Sequence, residues 1–121
     1  MKFGGTHVIA KGESKTLAFV STLEPIVHHY FTRVQQGLVP RSINPHQLKQ
    51  VLDVNCHIGT WAIDLAGAYA EVTVTGLDTN KQFIDLARRS AEVSNLSQTH
   101  FYEADFSQPL GFVDGFFDGC I

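Results

Sequence analysis

Three acidic residues stand at or just beyond the ends of apolar, β-branched runs. Asp53 follows Gln50-Val51-Leu52, Asp78 follows Val72 to Leu77, and Asp105 follows Thr99 to Glu103. Open parallel sheets bind ligands at the carboxyl ends of their strands, near the point where strand order reverses, so these carboxylates converge if the runs are parallel strands. Asp78, 19 positions after Gly59, suits a hydrogen-bond acceptor for ribose hydroxyls. Asn55-Cys56-His57-Ile58-Gly59 leads from Asp53 into a helix whose first turn offers free backbone N–H groups to a polar or anionic ligand.

Each of these residues also has a plainer reading. Asp53 suits a strand-end acid capping loop amides, Asp78 a helix cap, and Asp105 a turn former. His57 has no partner visible in the sequence, so no base role is assigned to it and the catalytic residues are unknown. His28 and His29 diverge by about 100° around a helix and do not face one ligand point, so no metal site is expected. One should be exposed and the other should line the helix packing. Trp61 is expected to pack against the sheet and Arg88-Arg89 to form a solvated helix face. Cys56 and Cys120 are too few for a disulfide framework or a zinc site and are expected to be buried thiols.

The elements that must position these groups follow from periodicity. From Glu13 to about Gln36, apolar residues recur at helical spacing. Ser21 and Glu24 have capping-box spacing and Pro25 fits a first-turn position, which allows two short helices there. Gly37 to Gln50, with Pro40, Asn44 and Pro45, reads as a loop with room for one short turn. Strands are expected at Gln50–Val54, Val72–Leu77, Thr99–Glu103 and, just beginning, Phe116–Ile121. Helices are expected from about Gly59 to Tyr69 and, capped by Thr79 or Asn80, to about Ser94, with Phe83, Ala87 and Ala91 facing inward. Strand-helix alternation at this spacing implies a parallel sheet with right-handed crossovers. The expected fold is therefore α/β, a Rossmann-like doubly wound parallel sheet over residues 51–121 with an N-terminal helical extension and loop over 1–50. Because the fourth strand only begins, a truncated chain is expected, with the uncovered sheet edge open to homo-oligomer formation.

Composition narrows the partners. With 121 residues, 44% hydrophobic and 17% charged, the chain has the makeup of one globular domain. A formal net charge of −3, with nine scattered Lys and Arg, argues against a nucleic acid as main partner, since phosphate binding needs a basic face. A small molecule fits better. Met1 to His7 lacks the apolar run of a signal peptide, and no stretch approaches the ~20 apolar residues that span a bilayer. The expectation is a cytoplasmic protein with no membrane partner.

The stretch Val51-Leu52-Asp53-Val54-Asn55-Cys56-His57-Ile58-Gly59-Thr60-Trp61-Ala62 resembles the first motif of class I S-adenosylmethionine-dependent methyltransferases, commonly written VLDVGCGTGxWA. Gly76-Leu77-Asp78 resembles the second motif, Tyr102-Glu103-Ala104-Asp105 with Gln108-Pro109-Leu110 the third, and Phe116-Phe117-Asp118-Gly119-Cys120-Ile121 the start of strand four. Gly37-Leu38-Val39-Pro40 is similar to an arrangement in bacterial small-molecule methyltransferases of this group. The resemblance implies S-adenosylmethionine as cofactor, transfer of its methyl group to a small-molecule acceptor, and an acceptor pocket built mainly after strand four. It implies cofactor contacts at Asp53, Asn55, His57, Gly59, Asp78, Thr79, Asp105 and Phe106, with Asp78 at the ribose, Asp105 at the adenine amino group and Phe106 covering the adenine. The departures from the motif are Asn55, where the family has glycine or often alanine, and His57, where it has glycine. Asn tolerates a left-handed backbone, whereas an imidazole at 57 takes space the cofactor is expected to use. Two alternatives remain: a methyltransferase-like domain without catalysis, and a nicotinamide-binding oxidoreductase. The latter is disfavoured because G-x-G-x-x-G needs its last glycine where Thr60 stands.

Overall fold

The computed structural model describes residues 13–35 and 37–120; the readings of Met1 to His7 and of Ile121 lie outside them. Helix α1 spans Glu13–Gln35 and passes through Pro25 without interruption. The expected break at Ser21-Glu24-Pro25 is therefore corrected. A proline removes one i→i−4 hydrogen bond from a helix, but the remaining bonds carry α1 across it. The capping box does not form, because Ser21 and Glu24 lie inside the helix, and the Glu24 carboxylate lies against His57.

After a single 3-10 turn at Pro45–Gln47, the chain alternates strand β1 (Gln50–Val54), helix α2 (Thr60–Ala68), strand β2 (Thr73–Asp78), helix α3 (Lys81–Val93), strand β3 (Thr99–Glu103) and strand β4 (Gly119–Cys120). All three strand pairings are parallel, in the order β3-β2-β1-β4. The chain moves outward from β1 to β3 and then crosses back to β4 on the other side of β1. Strand order thus reverses at β1, which puts the carboxyl ends of β1 and β2 beside the switch point. The Rossmann-like fold class is that read from the sequence.

The core lies between the sheet and the two helices. Val51, Val74, Leu65, Phe83 and Ile84 are all at most 1% exposed, and Ala87 and Ala91 complete the inward stripe of α3. Phe101 of β3 fixes how closely these layers approach. A Cβ at Gly76 would come within 2.6 Å of its ring, and one at Gly59 within 2.8 Å. Both glycines are therefore required by packing alone, in addition to any ligand.

Three surface details differ from expectation. Arg88 is not simply solvated: its Nε and a terminal nitrogen donate to the Phe101 carbonyl at 2.9 and 2.6 Å, tying α3 to β3. Cys120 is exposed rather than buried, because β4 has a strand on one side only; Cys56 is buried as expected. Strand β4 also starts at Gly119 rather than Phe116. Phe116 and Phe117 pack against Phe112 in the preceding loop, and Asp118 accepts bonds from the Lys49 and Gln50 amides where β4 meets β1. Trp61 does pack against the core, and its Nε1 donates to the Leu38 carbonyl at 2.7 Å. Among the described residues no helix is long and apolar enough to cross a membrane.

Candidate functional site

The turn between β1 and α2 takes three left-handed backbone positions in alternation: Asn55 at φ 61°, His57 at φ 52° and Gly59 at φ 80°. Only the last is glycine. A left-handed residue other than glycine costs roughly 1–2 kcal/mol, less for Asn, so the turn keeps its shape against local preference at two of the three positions. Cys56 N donates to the Leu77 carbonyl at 2.9 Å and His57 N to Asp78 Oδ2 at 3.0 Å, which tie the turn to β2, and Gly59 N donates to the Cys56 carbonyl at 2.9 Å within it.

Asp78 is fully buried at the end of β2. Its second oxygen accepts from Asn80 N at 2.9 Å, so both oxygens bind backbone amides. It does not cap α3. That role belongs to Asn80, whose side chain accepts from the amides of Gln82 and Phe83.

The His57 ring meets two partners. Its Nδ1 lies 3.3 Å from Glu24 Oε2 of α1, and its edge contacts Phe83 at a centroid distance of 5.8 Å. The Glu24 oxygen is closed to solvent and, among the described residues, has no well-aligned hydrogen-bond partner, so the contact is one of charge and proximity. The Glu24 carboxylate raises the pKa of His57, against the opposing effect of burial. Asp53, 7% exposed, has its carboxyl pushed up to about 7, first by burial and then by Glu24 and Asp78, with His57 opposing. Burial pushes the Cys56 thiol far up, which leaves it unreactive. One turn further along α1, His28 Nε2 lies 2.8 Å from Asp64 Oδ2 of α2, while His29 is exposed.

Asp53, Asn55, His57, Gly59 and Asp78 thus gather at the switch point. Thr79 and Asp105 lie alongside, where Thr79, Glu103, Ala104 and Asp105 line one hollow, and Leu77, Tyr102, Asp105 and Leu110 help line another of about 470 Å³. Asp105 closes its own turn by accepting from the Ser107 amide and hydroxyl, which hold its carboxyl below the usual range. Phe106 is half-buried. Sequence reasoning missed Glu24 as a site residue. Its capping-box spacing pointed elsewhere, and nothing local marks a contact with His57.

A family model described as a methyltransferase domain matches residues 51–121. The chain is 41% identical over 81 residues to the 23S rRNA (uracil(1939)-C(5))-methyltransferase RlmD of Pseudomonas fluorescens, a match covering 64% of this chain and 17% of that protein. It is 37% identical over 79 residues to the O-methyltransferase cnsE of Penicillium expansum, covering 64% of this chain and 28% of that one. The chain therefore spans less than a third of either relative. Among solved structures, the O-methyltransferase region of StiE aligns with a TM-score of 0.62 at 14% identity, over 92% of this chain and 36% of that one, which is a likeness of fold. The O-methyltransferase of a trans-AT PKS multienzyme from Brevibacillus brevis, in complex with S-adenosyl-L-homocysteine, aligns with a TM-score of 0.54 at 25% identity, over 56% of this chain and 23% of that one. S-adenosylmethionine is the cofactor of this family. The motif register, the parallel sheet and the family match agree: the chain belongs to the class I S-adenosylmethionine-dependent methyltransferases.

Proposed function

We propose that residues 51–121 bind S-adenosylmethionine for methyl transfer to a small-molecule acceptor. The observation that carries this reading is the alternation of left-handed residues at 55, 57 and 59. It keeps the backbone of a glycine-rich cofactor turn although only Gly59 of the three is glycine. The residues present fit the group. Asp105 and Phe106 would flank the adenine beside the 470 Å³ hollow, Asp78 and Thr79 would take the ribose, and the turn with Asp53 would take the amino-acid end. A carboxylate oxygen accepts two hydrogen bonds, so the amides on Asp78 leave it capacity for a ribose hydroxyl. Asp78 is closed to solvent, so the ribose must displace a neighbour. His57, whose side chain is 38% exposed and whose backbone is strained, is the neighbour at hand.

When bound, S-adenosylmethionine supplies an electrophilic methyl group on a sulfonium centre. The chain's own task is to orient that group and exclude water, and no residue is assigned to proton transfer. The acidic balance and the scattered Lys and Arg favour a small acceptor over a polyanion. A second reading, an RNA acceptor, draws on the identity to the rRNA methyltransferase, but that match covers only 17% of the relative.

Calorimetric titration with S-adenosylmethionine and with NAD tests the reading. Saturable heat with the first alone is expected. Silence with both would support a domain without catalysis, and heat with NAD alone would support an oxidoreductase.

A further inference from the structure

Helix α1 brings the Glu24 carboxylate to the turn from outside residues 51–121. Its Oε2 is closed to solvent and lacks a hydrogen-bond partner among the described residues. A second carboxylate, Asp53, is 7% exposed at the end of β1. Asp78, by contrast, holds two amides. The groups that act on Asp53 are Glu24 from α1, Asp78 from β2 and His57 from the turn, so a single imidazole faces three carboxylates. Phe83 of α3 also meets that imidazole, and brings no charge. Buried carboxylates without full partners are costly, and the site is short of positive charge.

Resting on the cofactor reading above, we infer that Glu24 is a specificity-determining residue. With Asp53 it makes the site hold the sulfonium of S-adenosylmethionine more tightly than the neutral thioether of the demethylated product. The two ligands share the adenosine and the amino-acid end, so their difference isolates the charge at sulfur. Coulomb attraction across several ångströms of partly dry protein is enough for about a tenfold difference in affinity. The same charge balance predicts a pH effect. As pH rises through about 7, Asp53 ionises, and loss of the His57 proton, which the Glu24 carboxylate holds to higher pH than usual, acts in the same direction by making the site more negative.

The experiment is calorimetric titration of the whole chain with S-adenosylmethionine and with S-adenosylhomocysteine, for the native protein and for Glu24→Gln. The variant is expected to weaken the sulfonium ligand about tenfold and the thioether no more than about twofold. In the native protein the ratio of the two affinities is expected to rise severalfold between about pH 6 and about pH 8. That second measurement stands even if Glu24→Gln does not fold. Equal losses for both ligands, or a ratio flat with pH, overturn the role of Glu24 and Asp53 while leaving the cofactor reading intact. Failure of either ligand to bind the native protein overturns the cofactor reading and this inference with it.

Discussion

The His57 amide donates to Asp78 Oδ2 at 3.0 Å, so a single carboxylate with no solvent exposure joins the turn after β1 to the end of β2. Its other oxygen holds the Asn80 amide, which leads into the cap of α3. Asp78→Asn would aim an NH2 group at one of these two N–H donors and leave a buried donor unsatisfied. A cost of about 2–3 kcal/mol is expected, read as a Tm lower by on the order of 10 °C. An unchanged Tm would mean that the two amides do not depend on the carboxylate.

Phe101 sets the close approach of the turn to β2 and β3. Gly76→Ala places a methyl group 2.6 Å from its ring and 2.9 Å from the Cys56 sulfur. Overpacking of this kind costs about 1–3 kcal/mol. Gly59→Ala adds a left-handed backbone at φ 80° to a similar clash and is expected to be the worse of the two in thermal denaturation. The reverse order would locate the strain elsewhere.

Stability is expected to fall as pH rises. Burial pushes the Asp53 carboxyl up to about 7 from its ordinary 3.8, so its contribution is fully present below about pH 4 and is lost as pH climbs through 7. His57 is also raised, and its contribution is lost as pH rises through its folded value. The two act in the same direction. Asp53→Asn should remove the larger part of the slope and stabilise the protein at about pH 8 by on the order of 2–4 kcal/mol. Urea unfolding at about pH 5 and about pH 8 checks this, and a native protein more stable at the higher pH would contradict it.

Among the described residues, two imidazole–carboxylate contacts one turn apart help to fasten helix α1, Glu24 with His57 and His28 with Asp64. Asp64→Asn weakens the second. Faster hydrogen exchange is expected in α1 around residues 24–33, with the amides of β1 and β2 unaffected. Exchange that speeds up throughout the sheet would mean that α1 and the sheet unfold as one unit.

The order of strands and helices was legible because it is local. β-Branched runs ending at Asp53 and Asp78, and the Phe83, Ala87 and Ala91 stripe, carry their own periodicity. The acids fell where the first motif requires them for the same reason. The Glu24–His57 contact was not legible, since it depends on how α1 lies across the turn, and Ser21, Glu24 and Pro25 locally suggest a helix start rather than a helix interior. The exposure of Cys120 and the bond from Arg88 escape the sequence for a related reason. Whether a strand is an edge, and which carbonyl a guanidinium can reach, are set by tertiary packing rather than by residue type.

The central claim is that the turn of Asn55, His57 and Gly59 still cradles S-adenosylmethionine. Amide chemical shifts recorded during titration with this cofactor test it most directly. The account predicts saturable changes at residues 55–59, at Asp78 to Asn80 and at Ala104 to Phe106, growing stronger at equal ligand concentration in His57→Gly. Shifts confined to other residues, or none at millimolar cofactor in either protein, would contradict it.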